Sequence, residues 1–144
     1  MHNDYDQESE AFKLLFEWYE SALHDEEAIR IRLKENSSFF LICFLAQQMA
    51  EKHLKSVLAY HNKAIRQGGP LLDRLLGECQ RIDPSFAKLK QPVLFLHQFY
   101  MDSASPSDIS ARSLNDAQQA FDAALRIKEF VLEKIEAKER QQVR

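Results

Sequence analysis

The run Phe44-Leu45-Ala46-Gln47-Gln48-Met49-Ala50-Glu51-Lys52-His53-Leu54-Lys55 holds the densest set of side chains able to do chemistry. At 100° per residue, Gln47, Gln48, Glu51, Lys52 and Lys55 project within a sector of roughly 140° on one side of a helix. Both amides can donate and accept, and the ammonium groups lie one or two turns further on. Together they could meet an anionic ligand or a partner's carboxylates, so these five are the candidate ligand- or partner-binding residues. The same residues also have an ordinary structural use, with Glu51 pairing with Lys55 at i, i+4 and the glutamines bonding to neighbouring helices.

Other chemistry finds little support. His2, His24, His53, His61 and His97 form no pair with the i, i+4 spacing and acidic base of a zinc site, and His53 and His61 stand about two turns apart on one helix. His97, between Leu96 and Phe99, suits a hydrogen-bonded residue at the core edge. Gly68-Gly69 lacks the spacing and the lysine of a phosphate loop. Ser103, Ser105, Ser107 and Ser110 occupy a polar loop with no strand-to-helix elbow to expose a nucleophile. Glu26 and Glu27, adjacent in a charged stretch, are expected to be solvated. No catalytic residue, metal ligand or cofactor is therefore assigned.

The elements that must position the polar sector follow from apolar spacing. A first helix is expected from Gln7 to about Lys34, with Ala11, Leu15, Trp18, Ala22 and Ile29 on one stripe, widened by Phe12, Phe16 and Tyr19. Asp25 lies on that stripe, where it is either at the solvated margin, the reading preferred, or buried with a partner. Glu35-Asn36-Ser37-Ser38 offers capping oxygens to a central helix running from Phe39 to about Asn62. That helix is apolar all round from Phe39 to Ala46 and one-sided thereafter, as though it enters a core end-on and leaves along its surface.

Gln67-Gly68-Gly69-Pro70 punctuates the chain before a short helix, Leu71 to Ile82, whose apolar face is Leu71, Leu72, Leu75, Leu76 and Cys79. From Phe86 to Met101 the spacing is again helical, but Pro92 removes an amide donor. A kink there, or a helix that starts only near Pro92, is expected. Asp102 to Arg112 reads as a mobile polar loop. Ser113 with Asp116 resembles a capping box ahead of a last helix, Leu114 to about Glu139, with Ala117, Ala120, Phe121, Ala124, Ile127, Val131 and Ile135 facing inward.

Composition agrees with an all-α domain. Among 144 residues threonine is absent and valine occurs four times, while leucine and alanine abound. Met1 to Arg30 carry nine acidic and two basic side chains, and Arg126 to Arg144 six basic and four acidic. Both read as solvated helix faces, not as a basic stripe for nucleic acid, so DNA is not an expected partner. Cys43 and Cys79 fall at apolar helix positions and read as buried free thiols. The acidic start is the reverse of a signal peptide, and no apolar run reaches the ~20 residues a membrane span needs, so the cytoplasm is the expected compartment.

The order of helices, and the F-x-x-Q-Q-x-x-E-K-x-x-K pattern from Phe44 to Lys55 in particular, resembles the HEPN domains, small helical bundles widespread in prokaryotes. Trp18, Ala22, Asp25 and Ala28 on the first helix and the alanine-rich stretch from Ala117 to Val131 add to the resemblance, which spans about residues 10 to 137. It implies an up-and-down bundle of four long helices with a shorter one inserted, usually a two-fold dimer, often partnered by a small nucleotidyltransferase in toxin-antitoxin pairs. Some members cut RNA without metal, using an arginine followed after four to six residues by histidine; others are thought to bind nucleotides.

No arginine in this chain has a histidine at that distance: Arg81 is followed by Phe86, Ala87 and Lys88, and Arg112 by Ala117, Gln118 and Gln119. The histidine-aspartate-leucine of many small members appears as Gly69-Pro70-Leu71, and the arginine-tyrosine-proline as Ala104-Ser105-Pro106. Each loss removes a polar or cationic group that a nucleotide phosphate could use.

The reading is a single all-α domain over residues 1 to 144, an up-and-down four-helix bundle with an additional short helix, its ends frayed at about 1 to 6 and 140 to 144. Its expected role is a non-catalytic, homodimeric binding module for a small nucleotidyltransferase or a nucleotide. The alternatives are a ribonuclease toxin with a non-standard site and a purely structural dimerisation domain.

Overall fold

A computed structural model describes residues 4–65, 72–101 and 112–142, with side chains from 10 to 65, 72 to 99 and 112 to 142. Five α-helices follow one another: α1 (Asp4–Lys34), α2 (Phe39–Tyr60), α3 (Leu72–Ile82), α4 (Lys90–Met101) and α5 (Leu114–Gln142), with a 3-10 turn, Pro84–Leu89, ahead of α4. No strand occurs among the described residues. Leu71, the Gln67 to Pro70 punctuation and the loop from Asp102 to Ala111 lie outside them.

The helix ends follow backbone chemistry more than side-chain capping. Asn36 (φ 54°) and Asn62 (φ 56°) both take the left-handed conformation that asparagine tolerates better than most residues. Behind each, two N–H groups close onto the last turn. Ser37 and Asn36 donate to Arg32 and Leu33 at 3.2 and 3.1 Å, and Lys63 and Asn62 donate to Leu58 and Ala59 at 2.8 and 3.1 Å. This is the Schellman arrangement with asparagine in place of glycine. The serine oxygens expected to cap α2 do not do so: Ser38 is itself left-handed (φ 59°) and its side chain makes no capping bond.

The capping box before α5 forms as expected, Asp116 N–H donating to Ser113 Oγ at 3.1 Å and Ser113 N–H to Asp116 Oδ2 at 3.0 Å. Of the alternatives at Pro92, the later start holds. Asp83 caps the 3-10 turn by accepting from Ser85 N–H at 2.9 Å, and α4 begins at Lys90, placing Pro92 in a first turn where its missing N–H has no helical partner to lose.

α2 is the axis, packed against α1, α3, α4 and α5. Phe12 at the start of α1 meets Tyr60 at the end of α2, so those helices run antiparallel. Tyr60 also meets Lys138 and Glu139 late in α5, which therefore runs parallel to α2. Phe99, late in α4, lies under Arg112 at the start of α5, so α4 runs against α5. The four long helices thus alternate up and down, with α3 inserted.

The first turns of α2 are buried on one side, through Ile42, Cys43 and Ala46, and not all round as an end-on entry would require. Phe44 in its second turn is 40% exposed, whereas His53, Leu54, Val57, Leu58 and Ala59 further on are buried. Ala117, Ala120 and Ala124 are fully buried on α5, and small side chains there let the helices approach closely. Ala124→Leu is expected to cost about 1–3 kcal/mol by overpacking. A urea unfolding midpoint equal to wild type would show slack at that contact.

Candidate functional site

The polar sector of α2 is brought together, but it faces α1. Gln47 is 1% exposed and its Nε2 has no hydrogen-bond partner among the described residues. Lys52 Nζ donates to Asp25 Oδ2 at 2.7 Å, and Lys55 Nζ sits 4.8 Å from the centre of the Trp18 ring. Gln48 and Glu51 are half-buried. Burial raises the Glu51 carboxyl above the ordinary carboxylate range, with Lys55 and Lys52 opposing the rise. No Glu51–Lys55 ion pair forms; each lysine turns to a residue of α1 instead.

α1 answers with two consecutive carboxylates that point to different helices. Asp25, 8% exposed, takes Lys52 of α2; it is buried with a partner and not at the solvated margin. Glu26 takes Lys128 of α5 at 2.7 Å and Arg30 of its own helix at 3.1 Å. The expectation that Glu26 is solvated is thus corrected, while Glu27 is exposed. Burial would raise the Glu26 carboxyl, but the hydrogen bonds from Lys128 and Arg30 outweigh it and hold it below the ordinary range. The i, i+4 spacing to Arg30 was legible in sequence; Lys128, one step off the inward stripe of α5, was not.

His53 lies beside this seam, fully buried, its ring 6.0 Å from that of Tyr19. Neither ring nitrogen has a hydrogen-bond partner among the described residues. Burial, assisted by Lys128 and opposed by Glu26, lowers it to about 4, so it is neutral at pH 7. Its place was readable, because residue 53 falls on the α2 stripe between Ala50 and Val57.

A second constellation, not anticipated from sequence, surrounds His61 at the end of α2. His61 lines three adjoining clefts. One, of about 340 Å³, is bounded by α5 and the Asp83–Phe86 turn; another, of about 520 Å³, by α3 with Lys63 and Arg81. Lys138 Nζ lies 3.3 Å from His61 Nδ1, and Lys134 pairs with Asp83 at 3.1 Å. Burial lowers the His61 pKa below the ordinary histidine value, and Lys138 and Lys63 lower it further against the opposing effect of Asp83. Cys43 and Cys79 are buried thiols, pushed by burial up to about 11 and about 12, and inert to ordinary thiol chemistry. Among the described residues no group of three His, Cys, Asp or Glu side chains could hold a metal, and no helix is long and apolar enough to cross a membrane.

Four helices packed around α2 and closed by a charged seam define an all-α bundle of the up-and-down class with one inserted helix. The HEPN domain matches residues 16–135, and the chain belongs to that family. A crystal structure of an archaeal HEPN homologue shares the fold, with a TM-score of 0.63 and 23% identity over 84% of this chain and 97% of that one. No curated protein matches the chain.

Two outcomes follow from the seam. Lys52→Met leaves the Asp25 carboxylate poorly solvated without its cation, and stability is expected to fall by about 2–3 kcal/mol in urea melts, with Asp25→Asn in the same chain recovering part of the loss. A wild-type midpoint for Lys52→Met would rank the pair with exposed ones.

The second concerns acid. His53 accepts a proton near 6.5 when unfolded but only near 4 when folded, so the unfolded state binds more protons between those values. Stability is therefore complete above about pH 6.5 and declines as pH falls toward 4, by about 3 kcal/mol for a shift of this size. Glu26, lowered in the folded state, acts in the same direction at lower pH. Equilibrium melts of His53→Leu should keep full stability at pH 7 and show a flatter decline between pH 6.5 and 4; an unchanged slope would assign the acid sensitivity elsewhere.

Proposed function

We propose that this chain is a HEPN binding module that does not carry out the family's ribonuclease chemistry and that works as a homodimer, engaging a small nucleotidyltransferase or a nucleotide. The observation that carries the reading is in the sequence: no arginine is followed at four to six residues by a histidine. RNA cleavage without metal needs a cation to stabilise the developing phosphorane charge and a general acid or base beside it, and the arginine–histidine segment with which the family supplies both is missing here.

The arrangement of the remaining arginine and histidine supports the same reading. Arg112 rests over the Phe99 ring at 4.7 Å. At 100° per residue His97 stands about 160° around α4 from Phe99, so the two groups are displayed on different sides of that helix. His97 Nδ1 instead lies 3.9 Å from Asp73 on α3. Of the five residues of the α2 sector, Gln47 is enclosed and Lys52 and Lys55 serve the helix seam first, so Gln48 and Glu51, both half-buried, are the ones this reading gives to a ligand or partner.

The test is in two parts. Purified protein incubated with total RNA should leave it intact, and tagged protein recovered from its native host should retain a small nucleotidyltransferase or, failing that, shift in melting temperature with nucleotides. RNA cleavage that disappears in His97→Ala or Arg112→Ala would replace this reading with a ribonuclease of unusual design. Retention of itself alone, with no nucleotide effect, would leave a structural dimerisation domain.

A further inference from the structure

We propose that the clefts around His61 form a binding site for a small anion carrying two or more linked phosphate groups, with His61 between the phosphates. Four cations from three elements converge there: Lys63 just after α2, Arg81 on α3, and Lys134 and Lys138 on α5. Their bonding is uneven. Lys134 is neutralised by Asp83, whose carboxylate also accepts from the Ser85 hydroxyl at 2.7 Å. Lys63, Arg81 and Lys138 have no carboxylate partner among the described residues, although Glu139 is next to Lys138 in sequence. Glu139 is taken by the Tyr60 hydroxyl, which leaves Lys138 to face a ring nitrogen and the Tyr60 ring, 6.0 Å away.

A lysine that donates to a histidine nitrogen is an unusual resting arrangement, because it spends a charge-assisted donor on a neutral acceptor. It also settles the ring. With Nδ1 accepting from Lys138, the proton of neutral His61 is on Nε2, which is then a hydrogen-bond donor. Glu78 is the one carboxylate opposing Lys63 and Arg81 in the larger cleft, so positive charge prevails on both sides of the ring. Burial is the first cause of the depressed His61 pKa, and Lys138 and Lys63 add to it.

The doubled layout selects the ligand. A single phosphate can occupy one cleft, meeting either Lys138 or the Lys63–Arg81 pair. A diphosphate can place one group in each cleft, with arginine and lysine giving charge-assisted bonds to its oxygens and His61 donating between them. Volumes of about 340 and 520 Å³ accommodate groups of this size. The site is independent of the partner reading above: it lies at the end of α2, away from the Gln48–Glu51 edge, and requires neither a nucleotidyltransferase nor a base.

The experiment uses the full chain and inorganic pyrophosphate as probe, with orthophosphate as comparison, by isothermal titration calorimetry at fixed ionic strength and by NMR of the histidine rings. Pyrophosphate is expected to bind at least tenfold more tightly than orthophosphate and to move the His61 resonances. Lys138→Gln and Arg81→Gln are each expected to weaken it about tenfold. Lys34→Gln, an exposed lysine at the opposite end of the bundle, should leave it unchanged. Equal weakening by Lys34→Gln, or no preference for pyrophosphate, would reduce the effect to general Coulomb attraction and overturn the site; so would binding that leaves His61 unmoved. Should Lys138→Gln fail to fold, the exposed Lys63→Gln carries the same test.

Discussion

Two adjacent carboxylates on α1, Asp25 and Glu26, reach in different directions, one to Lys52 of α2 and the other to Lys128 of α5. The arrangement of the bundle depends on this fork. Apolar burial decides which face of α1 turns inward, through Ala11, Leu15, Ala22 and Ile29, but opposes small shifts along the axis and small rotations only weakly. Charges taken out of water tolerate neither, because a misplaced carboxylate is left without its cation in a poorly solvated seam. The fork thus sets the position of α1 against two neighbours at once.

The seam also gives much of the most conspicuous polar sequence in the chain a structural use. Gln47, Lys52 and Lys55 look like a ligand-reading face when α2 is drawn alone. Once α1 lies over them, Lys52 and Lys55 are spent on Asp25 and Trp18, and Gln47 is enclosed. Available cationic groups gather instead where α2 stops. The left-handed turn at Asn62 releases the chain, and α3, α5 and the Asp83–Phe86 turn end or pass nearby. Helix ends leave clefts that helix flanks, packed ridge into groove, do not.

His53 and His61, two turns apart on one helix, show how strongly position decides chemistry. The first is walled in, has no hydrogen-bond partner at either nitrogen among the described residues and stays neutral far into acid; its consequence is for stability. The second is half-buried at a helix end, bonded to a lysine and open to three clefts. Residue type and spacing treat them alike.

The sequence by itself determined the fold class, the helices and most of the core. The stripes on α3 and α5, the Ser113–Asp116 capping box and the resemblance carried by Phe44 to Lys55 are local patterns, written in spacings of three and four residues that any helix reads the same way. The tertiary structure alone decided which polar residues meet: Asp25 with Lys52 across 27 positions, Glu26 with Lys128 across 102, and His61 with Lys138 across 77. Such pairs have no signature in periodicity, because their energy arises only when distant segments exclude water from the same place. That is why Glu26 read as solvated and Asp25 as marginal, and why the cleft around His61 had no expression in the sequence at all.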